Sequence, residues 1–203
     1  MPTIDTIYRY FYGVWRMMTG KPDGFAYLDI SADGFWRSFY AILVSLPPLL
    51  AGWVAYAAEL TGGGREETAM RLSIVIKAAI VDITAWILPI FLLGLVVSKI
   101  GIAKRFAPYV IASNWGTALL AWAFAPISLW QLFMQQRSDT LTFVSLGFMI
   151  VIIMMSYRLT RVALQKPTGF ALPFYIAMFM LSFFITLALQ ELFGINYDFN
   201  AGY

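Results

Sequence analysis

The sequence predicts an all-α, polytopic transmembrane helical bundle of five spans, preceded by an N-terminal amphipathic helix at the membrane interface. Hydrophobic residues make up 61% of the 203-residue chain and charged residues only 12%, about half the charged share of soluble domains. Five apolar stretches come close to the ~20 residues that a helix needs to cross a bilayer. They occupy residues 35–58, 72–97, 107–130, 141–159 and 170–193. Because they fill most of the chain, we expect its function to lie in or at the membrane.

The composition argues against several kinds of chemistry. The chain has no histidine and no cysteine, so it offers neither imidazole nor thiol to zinc, iron, copper or haem, and no thiol nucleophile. No acidic cluster, carboxylate pair or Ser–Lys pair suggests a catalytic or metal site. The net charge of +3 comes without a dense basic patch or a nucleic-acid-binding module. We therefore expect no enzyme activity, no cofactor, no metal and no nucleic-acid partner.

Residues 1–34 are expected to form a cytoplasmic segment that contains the amphipathic helix. Between residues 3 and 18, apolar and charged side chains fall on different faces at helical spacing. The apolar set is Ile4, Ile7, Tyr8, Phe11, Trp15 and Met18, and the charged set is Asp5, Arg9 and Arg16. This pattern predicts a helix lying in the membrane surface, with Phe11 and Trp15 as interfacial anchors. Packing against the cytoplasmic end of the bundle is the alternative.

The first span carries two adjacent prolines near its centre, Pro47 and Pro48. Proline removes a backbone donor and clashes with the preceding turn, which predicts a kink or a local break in the helix. Such a break could act as a hinge or as half of a binding site, as in transporters, or it could be a static kink.

The connection to the second span contains three glycines at 62–64, which predict a flexible turn. Glu66 and Glu67 follow, and we expect them in the first turn of the second span, where the helix dipole favours acidic side chains. Pro89 and Pro126 predict kinks in the second and third spans.

The distribution of basic residues predicts the orientation. Ten of them lie in the N-terminal region and in the loops after the second and fourth spans: Arg9, Arg16, Lys21, Arg37, Lys99, Lys104, Arg105, Arg158, Arg161 and Lys166. The opposite side holds Arg65, Arg71 and Arg137. The positive-inside rule then places the N-terminus in the cytoplasm and the C-terminus outside, and the expected location is a bacterial inner membrane. The transmembrane domain at 35–193 is followed by an extracytoplasmic tail at 194–203.

Two charged residues lie well inside an apolar stretch, Lys77 and Asp82 in the second span. A charge inside a membrane costs ~2.5–3.5 kcal/mol on insertion scales, so each is a functional candidate. Their spacing places them about 140° apart around a helix, which argues against an ion pair between them. Lys77 should lean toward the outer end, where Glu191 is a candidate partner. Asp82 lies deeper, and it either accepts a hydrogen bond from another helix or stays protonated.

Two roles are open for Asp82. It could bind a proton or cation in a transport cycle, or it could hold helices together by accepting hydrogen bonds. Carriers usually place several polar groups at mid-membrane depth, and few others occur here. They are Ser45, Thr84, Ser113, Asn114 and Thr117. The structural role is favoured, and Asn114 joins Lys77, Asp82 and Glu191 as an intramembrane polar candidate.

The predicted topology resembles the Yip1-type membrane proteins, most of all their small bacterial relatives. The residues that carry the resemblance are GFWRSF at 34–39, LPP at 46–48, and Lys77 with Asp82. It covers all five spans and implies a scaffold or membrane-organising role, since eukaryotic relatives bind partners in membrane traffic. Many of those relatives have an acidic cytoplasmic extension that this sequence lacks, so the resemblance does not extend to a small-GTPase partner.

The expected function is that of a non-enzymatic membrane protein that organises membrane or binds other proteins. One alternative is a small secondary transporter that uses a proline-broken first span and Asp82. Another is an accessory subunit of a larger membrane complex. The expected partners are membrane lipids and other membrane proteins, or further copies of the chain.

Overall fold

The computed structural model describes residues 2–61, 68–133 and 139–195, and every regular element in them is helical. The helices are α1 (Ile4–Met18), α2 (Ala32–Ser38), α3 (Tyr40–Leu60), α4 (Thr68–Val96), α5 (Ala103–Phe133), α6 (Asp139–Leu164) and α7 (Thr168–Phe193), with a short 3₁₀ helix at Pro22–Tyr27. Five spans are long and apolar enough to cross a membrane, and α2 with α3 forms the first. The predicted all-α transmembrane fold is confirmed. The glycine turn at 62–64, Glu66, Glu67 and the tail at 196–203 lie outside the described residues.

Successive spans alternate in direction, so the bundle has two ends. The α1 end carries α1, α2 and the connections α4–α5 and α6–α7, and the far end carries the last turns of α3, α5 and α7. The first span (α2 with α3) and α5 run side by side in the same direction, because Asn114 contacts Ser38 of α2 and, further along both spans, Trp122 contacts Val44 of α3. Helix α5 is central, in contact with α1, α2, α3 and α6, while α4 joins α3 to α7.

Gly116 lets α6 and α1 pack closely on α5. At this position a Cβ atom would lie 2.6 Å from Leu159 Cδ1 of α6 and 3.1 Å from Met18 Cε of α1, so a larger residue would require these side-chain ends to move. In the apolar window of α5, 44% of residues are buried, against 6% in that of α6 and 0% in that of α7. Helices α6 and α7 therefore present mostly apolar side chains to their surroundings.

The first span is interrupted at Phe39 and not at the predicted proline pair. Helix α3 continues through Pro47 and Pro48. At Phe39 the backbone hydrogen bonds shorten to i→i−3, from Phe39 N to Trp36 O and from Ile42 N to Phe39 O, which is the tighter 3₁₀ pattern. Of the two expected effects of the prolines, a local break is therefore wrong, while a kink and a hinge role stay predictions.

Two prolines leave main-chain carbonyls without a donor in their own helix, and neighbouring helices supply that donor. Pro48 has no N–H for the carbonyl of Val44 one turn earlier, and Trp122 Nε1 of α5 donates to that oxygen at 2.9 Å. Pro89 likewise leaves the carbonyl of Ala85, and Ser182 Oγ of α7 donates to it at 2.9 Å. Because the hydrocarbon layer has no water to take this place, both helices continue through proline with the help of a neighbour.

Helix α1 packs on the bundle, as in the second of the two predicted alternatives. Tyr10, Val14, Met17 and Met18 are buried in the main core cluster, and the ring of Tyr10 lies 4.9 Å from that of Trp115 in α5. The helix is also held by the 3₁₀ helix, through the ion pair of Arg16 with Asp23 and a close approach of Gly13 to Gly24.

The two predicted interfacial anchors have different surroundings. Phe11 is half-buried and lies with its ring 6.2 Å from that of Trp115. Trp15 is 50% exposed, next to Ile4 and Tyr8 at 71% and 70%. The apolar surface of α1 is thus divided between one face on the bundle and an exposed stripe, Ile4, Tyr8 and Trp15.

Candidate functional site

Asp82 lies at the midpoint of α4 and accepts a hydrogen bond from another helix. Trp53 Nε1 of α3 donates to Asp82 Oδ2 at 2.7 Å, which is the interhelical donor that the sequence predicts. Among the described residues, the second carboxylate oxygen, Oδ1, receives no hydrogen bond, and Asp82 is exposed. The hydrogen bond therefore links α3 to α4 while one oxygen atom remains accessible.

Asp82 lines a cavity of about 310 Å³ between α3, α4, α5 and α7. Its walls are Pro48, Leu49, Gly52, Trp53, Tyr56, Ala78, Val81, Asp82, Ala121, Phe124, Ser128 and Gln190. Most of this surface is apolar or aromatic, and a carboxylate, a hydroxyl and an amide project from it. A mostly apolar concavity with few polar groups is typical of a small-molecule site. It lies toward the far end of the bundle.

Lys77 caps the far end of α7. Its Nζ donates to the main-chain oxygen of Phe193 at 2.8 Å, two residues beyond the predicted partner, Glu191. The end of α7 is closed by Gly194 in the left-handed conformation, with Ile195 N donating to Gln190 O at 3.0 Å, which is a Schellman motif. A cation is favourable here because the unpaired carbonyls carry the negative end of the helix dipole.

A second contact fixes the same helix end to α3. The hydroxyl of Tyr56 donates to the main-chain oxygen of Ile195, and the Ile195 side chain is buried in a cluster with Trp53, Ala57 and Ile74. Tyr56 and Trp53 also line the cavity. The cavity wall is therefore braced by the contacts that close the far end.

Asn114 has a structural environment. It is 0% exposed, its Oδ1 accepts from Trp86 Nε1 of α4 at 3.0 Å, and its Nδ2 donates to Ser38 Oγ of α2 at 2.9 Å. The Ser38 hydroxyl in turn donates to the carbonyl of Phe35. This chain of hydrogen bonds joins three helices near the α1 end and is separate from the cavity.

The α1 end presents a shallow second concavity next to exposed cations. Asp33, Trp36, Arg37, Phe39, Tyr40 and Leu43 line it, with a volume of about 470 Å³. Just before α2, Asp29 Oδ1 accepts from the hydroxyl and main-chain N–H of Ser31, and these bonds hold the pKa of the Asp29 carboxyl below its usual range. In the described ranges, no group of three acidic side chains could hold a metal ion.

The sequence identifies Asp82 but not the residues around it. Trp53, Tyr56 and Gln190 come from helices far apart in the chain, so no spacing rule connects them to Asp82. One signal is available: tryptophan inside a span, away from the headgroup level, needs a partner for its indole N–H. Trp53, Trp86 and Trp122 each donate to another helix.

Comparison of this chain with protein-family models, curated proteins and solved structures finds no match. The resemblance to the Yip1-type proteins therefore stays a prediction.

Proposed function

We propose that this protein is a non-enzymatic, membrane-organising component that holds anionic lipids around its α1 end. The observation that carries the proposal is the docked helix α1, which keeps an exposed apolar stripe beside charged side chains. One face of α1 is buried on the bundle, the stripe of Ile4, Tyr8 and Trp15 is exposed, and Arg9 is exposed further around the helix. An amphipathic helix of this kind rests in the boundary between headgroups and acyl chains.

The charge at the same end supports the choice of anionic lipid. Exposed cations surround it in α1, the residue before the 3₁₀ helix, α2, the α4–α5 connection, the first turn of α5 and the last turns of α6: Arg9, Lys21, Arg37, Lys99, Lys104, Arg158 and Arg161. Each cation next to an anionic membrane surface contributes about 1 kcal/mol. Acidic residues lie at this end too, but Asp23 is already paired with Arg16. The surface is therefore net basic and complementary to phosphatidylglycerol or cardiolipin.

Retention of lipid by the purified full chain tests the proposal. Native mass spectrometry should show more bound phosphatidylglycerol than phosphatidylcholine after exchange into either lipid. Replacing Arg9, Lys104 and Arg158 by glutamine should remove most of the difference, because it removes exposed charge without touching the core. The matched control replaces Asp5 and Asp33 by asparagine and should leave retention equal or higher. Equal retention of both lipids by the unmodified protein would overturn the proposal.

The proposal also requires the α1 end to face the cytoplasm, where anionic lipid attracts basic segments. A reporter fused after Tyr203 should read as extracytoplasmic, and one placed near Gly101 should read as cytoplasmic. The reverse result at both positions would contradict the orientation and the proposed function.

A small secondary transporter is the second candidate, favoured by the accessible oxygen of Asp82, a mid-span residue that lines the cavity. Mild-detergent purification from native membrane separates the candidates. A stoichiometric protein partner, for which the exposed apolar faces of α6 and α7 leave room, would favour an accessory subunit. Co-purified anionic lipid favours the first proposal, and a bound small molecule favours transport.

A further inference from the structure

We infer that the cavity beside Asp82 is a binding site for a small organic cation, an ammonium group that carries apolar substituents. This inference does not depend on the proposed lipid-organising role, because the cavity lies toward the far end of the bundle and shares no residue with the α1 stripe. It concerns binding and holds with or without transport.

Charge is the first reason. Among the described residues, no lysine or arginine lies within ion-pair distance of Asp82. Lys77 is directed to the carbonyl of Phe193, and Arg71 donates to Thr61. A bare carboxylate at this depth is expensive, and one hydrogen bond from Trp53 offsets only part of that expense. A bound cation would supply the missing opposite charge to Oδ1.

The lining is the second reason, because it distinguishes an organic cation from a metal ion. Calcium and magnesium take about six or more oxygen ligands, whereas this cavity offers few oxygen atoms, and the Tyr56 hydroxyl already donates to Ile195. Three aromatic residues, Trp53, Tyr56 and Phe124, contribute to the walls. Aromatic rings with a carboxylate form the usual environment of a bound ammonium ion.

Size is the third reason. A volume of about 310 Å³ is at the lower end of small-molecule sites, which fits a compact ammonium ion or the terminal amine of a lipid headgroup. Both sources present the same chemistry to Asp82.

A titration of the full chain in nanodiscs of pure phosphatidylglycerol tests the inference, since that lipid has no ammonium group. Tetraethylammonium should raise the thermal unfolding midpoint in a saturable way, whereas sodium at equal ionic strength should not. Asp82→Asn keeps the size of the side chain and an acceptor for Trp53, so it should fold and bind the probe at least about tenfold more weakly. An equal response of Asp82→Asn, an equal effect of sodium, or no response of the unmodified protein would each overturn the inference.

A second variant tests the inference if Asp82→Asn folds poorly. Phe124→Leu keeps Asp82 and an apolar wall but removes one ring, so it should weaken binding of tetraethylammonium. Unchanged binding would contradict the aromatic part of the argument.

Nanodiscs that also contain phosphatidylethanolamine distinguish the two ligand sources. If its headgroup occupies the cavity, the midpoint of the unmodified protein should rise before any probe is added, and the response to tetraethylammonium should shrink. If the site takes a free ammonium compound, the response should equal that in phosphatidylglycerol. Either result supports the site, provided that Asp82→Asn abolishes it.

Discussion

Ser182→Ala should destabilise the bundle more when residue 89 is proline than when it is alanine. Because Pro89 has no N–H, the carbonyl of Ala85 depends on the hydroxyl of Ser182, 2.9 Å away on α7. In a Pro89→Ala background the new N–H can donate to the same carbonyl within α4. Removing the hydroxyl then no longer leaves that oxygen without a donor.

The magnitude follows from the kind of bond. Interhelical hydrogen bonds in membrane bundles contribute about 0.6 kcal/mol on average and about 1.7 at most, and a donor–acceptor distance of 2.9 Å is ordinary. We expect Ser182→Ala to lower the free energy of unfolding by about 0.6–1.5 kcal/mol next to Pro89. The coupling between the two substitutions should be about 0.6 kcal/mol, roughly a threefold change in the unfolding equilibrium.

That coupling is measured by equilibrium unfolding in mixed micelles. The proteins compared are the unmodified protein, both single variants and the double variant. Thr186→Ala is the matched control, because Thr186 Oγ1 donates to Ser182 O within α7 at 3.1 Å. Its effect should be the same in both backgrounds. If the loss from Ser182→Ala is also the same in both, the hydroxyl does not replace the N–H that Pro89 lacks, and the reasoning fails.

The remaining predictions concern the contact of α1 with the 3₁₀ helix, and amide hydrogen exchange of α1 measures both. Gly24→Ala should speed exchange, because its Cβ would lie 2.3 Å from the main-chain oxygen of Gly13, whereas Gly169→Ala, with nothing within 4 Å, should not. Arg16 holds the pKa of Asp23 below its ordinary 3.8, so the ion pair stabilises the contact above that pH and is lost as pH falls through the lowered pKa. Exchange should therefore rise in that acid range, and Asp23→Asn should remove the step; an unchanged step would exclude this pair as its cause.

The sequence predicts the spans well because their signal is local. Twenty apolar residues in a row permit little besides a membrane-spanning helix. The need of Asp82 for a hydrogen bond is also a local signal, because a carboxylate inside a span needs a donor. Trp53 provides that donor. Hydropathy also predicts an amphipathic α1, but periodicity cannot tell a face that contacts lipid from one that contacts α5. That is why Phe11 and Trp15 have different surroundings in the structure.

The features that the sequence does not predict depend on contacts between distant parts of the chain. Proline at 47 and 48 suggests a broken helix, but Trp122 satisfies the carbonyl freed by Pro48, and the helix continues. The interruption at Phe39 involves no proline or glycine, so no local signal marks it. Lys77 likewise donates to the main-chain carbonyl of Phe193. Because every residue has such a carbonyl, the sequence does not indicate which one Lys77 contacts.

The docking of α1 determines the order in which the protein can be assembled. Helix α1 leaves the ribosome before the spans, yet its buried face packs against Trp115 of α5 and Leu159 of α6, which are translated much later. Until those spans are inserted, that face needs another apolar environment, and the membrane surface is the nearest one. The acceptor of Lys77 is translated later still, because Phe193 lies in the last turn of α7. Both ends of the bundle therefore close late in biogenesis, and a chain that stopped before α7 would leave the Lys77 ammonium in the bilayer without its acceptor.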